Sequence, residues 1–138
     1  MFIKMLVDGV EPPKKQREGD AGFDVYSPID AVIPSGERLQ VKLGFALEIL
    51  PDEVAIMSER SGMSIKFGIT SIGNIIDSNY RGECSIILAN LGKDLFVIKR
   101  GDRIGQVIVC RLGNQDVQLV KELSETERGD KAHYSSGV

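Results

Sequence analysis

The chain has 138 residues, 42% of them hydrophobic and 27% charged, with a formal net charge of -3. That length fits one domain with a core of its own, and the composition excludes a disordered chain. The net negative charge argues against a general nucleic-acid binder, so any phosphate chemistry needs positive charge concentrated locally.

The first seven residues, Met1 to Val7, are too short and lack the cleavage pattern of a secretory leader. They read as a first strand. No apolar run approaches membrane-spanning length. Cys84 and Cys110 each sit inside an apolar run, which favours buried reduced thiols over a bridge or a metal pair. A cytoplasmic setting, or a nuclear or viral one, is the expectation that follows.

Gly and Pro punctuate the chain at short intervals. The apolar runs between them are predicted strands over 2–7, 23–26, 30–33, 38–41, 45–50, 54–58, 72–76, 84–89, 95–98, 104–111 and 117–120. This pattern predicts an all-β sandwich, jelly roll or barrel. Residues 9–20 form a polar loop stiffened by Pro12 and Pro13. In the run after it, Gly22 permits close backbone approach. Asp24 interrupts the strand, either as an edge-strand acid facing water or as an acid near a cation such as Mg²⁺.

Ser61 is expected to cap a short helix over Gly62 to Phe67, stopped by Gly68. With Arg60 before it, that turn reads either as an anion site or as a capped surface turn. Between Ile75-Ile76 and the apolar run from Cys84, the polar residues Asp77 to Glu83 read as a hairpin-like corner. It carries a carboxylate, Asp77, and an amphipathic ring, Tyr80. On the strand 104–111 the even positions are Ile104, Gln106, Ile108 and Cys110. Gln106 is the one polar residue of that row, so it either ties down backbone or faces a site. The last residues, 126–138, have no apolar period and read as a tail. They hold Arg128, Ser135, Ser136 and Gly137, which suit phosphate contact, and the chain's one histidine, His133.

Together these segments resemble the trimeric dUTP pyrophosphatases (dUTPases), a family with five ordered motifs. The matching residues are Ala21-Gly22-Phe23-Asp24, Arg60-Ser61-Gly62-Met63, Ile76 to Glu83, Gly101 to Val107, and Arg128 to Lys131 with Ser135-Ser136-Gly137. The resemblance implies a jelly-roll-like β fold with one short helix near 61–67. It implies a β domain over 1–125 and a C-terminal arm over 126–138 that closes over a neighbour's site in a homotrimer. It further implies Mg²⁺ and hydrolysis of dUTP to dUMP and pyrophosphate, with neither direct nucleic-acid binding nor a membrane.

Carried over residue by residue, Asp77 activates the attacking water and Tyr80 packs beneath the deoxyribose. Asp24 holds Mg²⁺ through water. Arg60, Ser61 and Gly62 hold phosphates, and Gln106 bonds the α-phosphate or the water. Backbone between Ser71 and Asp77, including Asn74, reads the base. Arg128, Ser135, Ser136 and Gly137 close over the outer phosphates while His133 stacks on the base.

The chain departs from the family pattern at Glu59 for Pro, Asn74 for Gly, Gly105 for Ala, and Ala132-His133-Tyr134 for Gly-Phe-Gly. Glu59 is expected to place negative charge near the phosphates. These departures keep two alternatives open: a triphosphatase for dCTP or a modified pyrimidine nucleotide, and a non-catalytic relative that binds nucleotide or a regulator.

Overall fold

Eleven short strands and one helix follow the punctuation of the sequence in a computed structural model that describes residues 1–113 and 116–130. They run β1 (Phe2–Met5), β2 (Phe23–Tyr26), β3 (Ala31–Ile33), β4 (Arg38–Lys42), β5 (Phe45–Glu48) and β6 (Glu53–Ser58). Then come α1 (Ser61–Phe67), β7 (Ile69–Ile72), β8 (Ile75–Asp77), β9 (Ser85–Asn90), β10 (Phe96–Ile98) and β11 (Arg103–Arg111). All pairings are antiparallel. A four-stranded sheet has the order β2-β11-β6-β8 and a three-stranded sheet the order β4-β9-β7. The pairs β1-β5 and β10-β3 complete the fold.

On the central strands alternation sets which side is buried. On β6, Ala55 and Met57 point into the core while Val54, Ile56 and Ser58 are half-buried on the outer side. On β9, Ile86, Leu88 and Asn90 point inward. The core joins Val25, Val41, Phe45, Met57, Leu88 and Val107, contributed by both larger sheets and the β1-β5 pair. Among the described residues one amide is fully enclosed, and it is satisfied on both sides. Asn90 donates to the carbonyls of Ile33 and Asp94, both at 2.8 Å, and accepts from the Gly92 N–H at 2.9 Å. It thereby ties the β10-β3 pair to the end of β9, as a buried polar group must be bonded to be tolerated.

Several expectations are corrected here. The corner at Asp77 is not a hairpin: β8 pairs with β6, whereas β9 pairs with β4 and β7. The chain changes sheets there. The run 72–76 is not one strand either, because Gly73, at φ 64°, and Asn74 separate β7 from β8. Residues 117–120 form no strand within the chain, and Val117 and Leu119 are 88% and 97% exposed. Cys84 is buried as expected, and desolvation pushes its thiol up to about 11. Cys110 is only half-buried, on the outer face of the four-stranded sheet.

Candidate active site

A polar cleft of about 490 Å³ opens at one end of the four-stranded sheet. Its walls come from the loop before β2, from β2, from the β6–α1 link and from β11. Antiparallel pairing explains the convergence. Gln106 on β11 lies directly opposite Asp24 on β2 and opposite Ser58 on β6, and opposed residues share a face. Two residues past Ser58 the chain reaches Arg60.

Gln106 is not on the core row. A register shift between Arg103 and Gly105 changes the phase of β11, so Ile104 and Val107 are buried and Gln106 falls on the outer face. Both options read from the sequence hold at once. Its amide donates to the Glu59 carbonyl at 3.1 Å, and the side chain lines the cleft. Gly22 makes room for it, since a Cβ at Gly22 would stand 2.2 Å from Gln106 Oε1.

Asp24 is not an edge acid facing water. Its side chain is 13% exposed, and its carboxylate lies 3.2 Å from Arg103 Nη1 and 3.6 Å from Arg60 Nε. Arg60 Nη1 in turn donates to the Arg103 carbonyl at 3.4 Å. Arg17, Arg60 and Arg103 therefore face Asp20 and Asp24 around this cleft. That is the local concentration of positive charge an acidic chain needs to hold phosphates. Arg103 had no assigned role from the sequence. Its only signal there was a guanidinium three residues before Gln106.

The helix start differs from expectation. Arg60, with φ -98° and ψ 133°, is the N-cap, no side chain caps the turn, and Ser61 is the first helical residue. The stop is as expected: Gly68 adopts φ 70° and its N–H reaches the Met63 and Ser64 carbonyls. Ser61 lines the cleft, and Gly62 follows it, exposed.

Glu59 does not present its charge to the cleft. Its carboxylate turns to Ser71, accepting the Ser71 N–H at 3.1 Å and the Ser71 hydroxyl. That hydroxyl bond holds the Glu59 carboxyl below the usual carboxylate range. Ser71 is buried. Asn74 follows in the β7–β8 link, its Oδ1 enclosed and without a hydrogen-bond partner among the described residues.

Asp77 and Tyr80 lie elsewhere. Asp77 opposes Val54, which opposes Cys110, four residues along β11 from Gln106. At about 3.4 Å per residue and about 4.8 Å per strand, Asp77 is roughly 17 Å from Gln106 across the same sheet face. Its side chain is exposed and forms no hydrogen bond or ion pair with the described residues. Tyr80 is 46% exposed, its hydroxyl donating to the Glu83 carbonyl at 3.2 Å. Its ring packs beside Gly82. A single chain thus gathers Asp24, Arg60, Ser61 and Gln106, and leaves Asp77 and Tyr80 at the far edge. Arg128 sits in an exposed stretch without strand or helix, while His133, Ser135, Ser136 and Gly137 lie outside the described residues.

The dUTPase family model matches residues 8–137, which is nearly the whole chain. The chain belongs to the dUTPase family. It is 36% identical over 138 residues to the deoxyuridine 5'-triphosphate nucleotidohydrolase of Paramecium bursaria Chlorella virus 1, covering 100% of this chain and 98% of that protein. A mutant dUTPase of Staphylococcus bacteriophage 80alpha, solved with dUpNHpp, superimposes with a TM-score of 0.92 at 25% identity, covering 99% and 98% of the two chains. A mutant dUTPase from phage phi11 of S. aureus, whose structure describes a structural Mg(II) ion, shares the fold with a TM-score of 0.83 at 21% identity, over 90% and 98% of the chains. The jelly-roll-like β fold of the family is the fold of this chain.

Among the described residues no group of three or more His, Cys, Asp or Glu side chains is placed to hold a metal. Of the two carboxylates that line the cleft, Asp20 and Asp24, the strand residue Asp24 suits a hydrated Mg²⁺ bound chiefly by phosphate oxygens and water rather than an all-protein cage. No helix among the described residues is long and apolar enough to cross a membrane.

Proposed function

We propose that this dUTPase hydrolyses dUTP to dUMP and pyrophosphate at sites built between copies of the chain. The observation that carries the reading is the arginine-rich cleft in which residues from three separate motifs, Asp24, Arg60, Ser61 and Gln106, meet. Arg60 and Ser61, with Gly62, hold the phosphate chain, the planar guanidinium matching phosphate oxygens. Gln106 orients the α-phosphate or the attacking water. Mg²⁺, when bound, neutralises charge on the phosphates, and Asp24 would hold it through water.

Asp77 of another copy takes the proton from the attacking water, and Tyr80 packs beneath the deoxyribose and excludes a 2′-hydroxyl. Backbone from Ser71 to Asp77 reads the base. Arg128, His133, Ser135, Ser136 and Gly137 belong to an arm, residues 126–138, that closes over the nucleotide. Catalysis is in-line water attack resting on positioning and electrostatics.

Self-association, as a homotrimer, is supported by surface that one chain leaves uncovered. Between the cleft and Asp77, the outer face of the four-stranded sheet carries half-buried Val54, Ile56 and Ile108, with Ile75 63% exposed. Leu119 and Leu123 are 97% and 86% exposed. A contiguous apolar patch of this kind marks a contact surface.

The test is a mixing experiment. Asp77→Asn and Gln106→Ala chains are each assayed for pyrophosphate release from dUTP, then unfolded together and refolded at equal ratio. A shared site regains up to roughly a quarter of wild-type turnover by random pairing of chains. No recovery, from a mixture that assembles as wild type does, rejects a site shared between copies. Parallel assays with dCTP and dTTP settle the base, and faster turnover of dCTP than of dUTP overturns the substrate assignment.

A further inference from the structure

We propose that Glu59 is a positioning residue: it locks the base-reading segment that starts at Ser71 to the phosphate cleft, and so governs discrimination among pyrimidine triphosphates. The inference deepens the function proposed above and rests on it.

A gap separates the two larger sheets beside the cleft. β6 belongs to the four-stranded sheet and β7 is an edge of the three-stranded one, so no ladder joins them. The chain crosses that gap between Ile72 and Ile75. On the far side of the crossing the Met57 N–H donates to the Asn74 carbonyl at 2.8 Å. On the near side the edge N–H of Ser71 has no strand to pair with, and the Glu59 carboxylate accepts it at 3.1 Å. The same oxygen accepts the Ser71 hydroxyl, and the Glu59 N–H donates back to Ser71 Oγ at 3.2 Å. One side chain thus does the work of a missing strand.

The backbone of Glu59 holds a residue that lines the cleft. Its carbonyl accepts the Gln106 amide at 3.1 Å and the Ser58 hydroxyl at 3.3 Å. Arg60, the Asp24 partner, is the next residue. A single residue in the two-residue link between β6 and α1 therefore fixes Ser71 on one side and Gln106 on the other. If the carboxylate is lost, a buried N–H and hydroxyl lose their acceptor, and the start of the crossing is free to shift relative to Gln106 and Arg60. A shift of that kind weakens base contacts more than phosphate contacts. A stitch of purely structural value would instead lower the amount of folded protein and leave the preference of each folded molecule unchanged.

The experiment compares wild type with Glu59→Ala, Glu59→Gln and Ser71→Ala in steady-state pyrophosphate release from dUTP and dCTP. For Glu59→Ala the KM for dUTP is expected to rise, and the dUTP-to-dCTP ratio of kcat/KM to fall, each on the order of tenfold. Glu59→Gln keeps an acceptor oxygen for Ser71 and is expected within about threefold of wild type. Inhibition by inorganic pyrophosphate is expected to be unchanged throughout, because the cleft is intact. Ser71→Ala loses only the hydroxyl bond and is expected to give a smaller fall in the ratio, which serves if Glu59→Ala does not fold. A wild-type ratio in every folded variant overturns the proposal. Wild-type chain that releases no pyrophosphate from dUTP overturns the functional reading instead. The ratio is then taken from dissociation constants of non-hydrolysable dUTP and dCTP analogues, with the same outcomes.

Discussion

The cleft and the Asp77 edge sit on the same sheet and are built in opposite ways. Around the cleft Asp24, Arg60 and Gln106 have side-chain partners within the chain. Asp24 lies between two guanidinium groups, Gln106 donates to Glu59, and Gly22 clears space for the amide. At the edge, the Asp77 carboxylate has no such partner among the described residues, and Tyr80 is half exposed. The proposed roles account for the contrast: a carboxylate that takes a proton from water gains nothing from a permanent cation beside it. A group meant to hold a polyanion needs its donors fixed in advance. The difference teaches that one end of the sheet is preorganised for charge within the chain, while the other is not, which is why the proposed function completes it with a second copy.

Breaking the contrast at the edge has the largest expected effect. Asp77→Asn is expected to lower kcat for dUTP by roughly 10²–10⁴-fold with little change in the affinity for a non-hydrolysable analogue. Calorimetric titration beside a pyrophosphate assay checks this, and unchanged kcat would remove Asp77 from the mechanism. Next, deleting residues 128–138 is expected to cut turnover by on the order of 10²-fold while leaving the oligomer mass in light scattering unchanged. A truncated chain of full activity would show the arm to be dispensable.

Sharpening the contrast at the cleft comes third. Gly22→Ala places a Cβ 2.2 Å from Gln106 Oε1. It is expected to lower kcat by roughly tenfold by displacing the amide, while leaving the fold intact by circular dichroism. Gly105→Ala acts on the scaffold beneath the cleft, where a Cβ would stand 2.4 Å from Ile86 Cδ1 and 2.9 Å from the Ser58 carbonyl. A loss of about 1–3 kcal/mol of stability is expected in urea unfolding. The smallest effect is on the pH dependence of stability. The Glu59 carboxyl is held below its ordinary value in the folded chain. Its contribution is present above the unfolded value and is lost as pH falls through the folded one. Glu59→Gln is therefore expected to lower stability slightly at neutral pH, to leave it unchanged at the acid end, and so to flatten the fall between them in a pH series.

Much of the fold was legible because its signals are local. The strands at Phe23–Tyr26, Glu53–Ser58 and Ser85–Asn90 follow from alternation between Gly and Pro punctuation, and the stop at Gly68 follows from the one residue that adopts φ 70° freely. The motif residues Asp24, Arg60, Ser61 and Gln106 could be picked out by residue type and spacing, but not their meeting in one cleft. What was not legible depended on contacts between distant segments. Nothing local tells that Ile75–Asp77 and Ser85–Asn90 pair in different sheets. The shift between Arg103 and Gly105 reverses the faces of β11, and a one-residue shift leaves no mark in the hydrophobic pattern. Glu59 looked like stray charge near phosphates because its partner, Ser71, lies on another strand.

The sequence by itself determined most of the strands, though not the break at Gly73 and Asn74 or the absence of one at 117–120, together with the helix stop and which residue types bear the chemistry, since backbone propensity and side-chain chemistry act over a few residues. Only the tertiary structure decided which of those residues meet. Pairing β11 with both β2 and β6 puts Asp24, Arg60 and Gln106 in one cleft and leaves Asp77 two strands away. Strand order is fixed by the burial of the whole core, and that is a property no single segment carries.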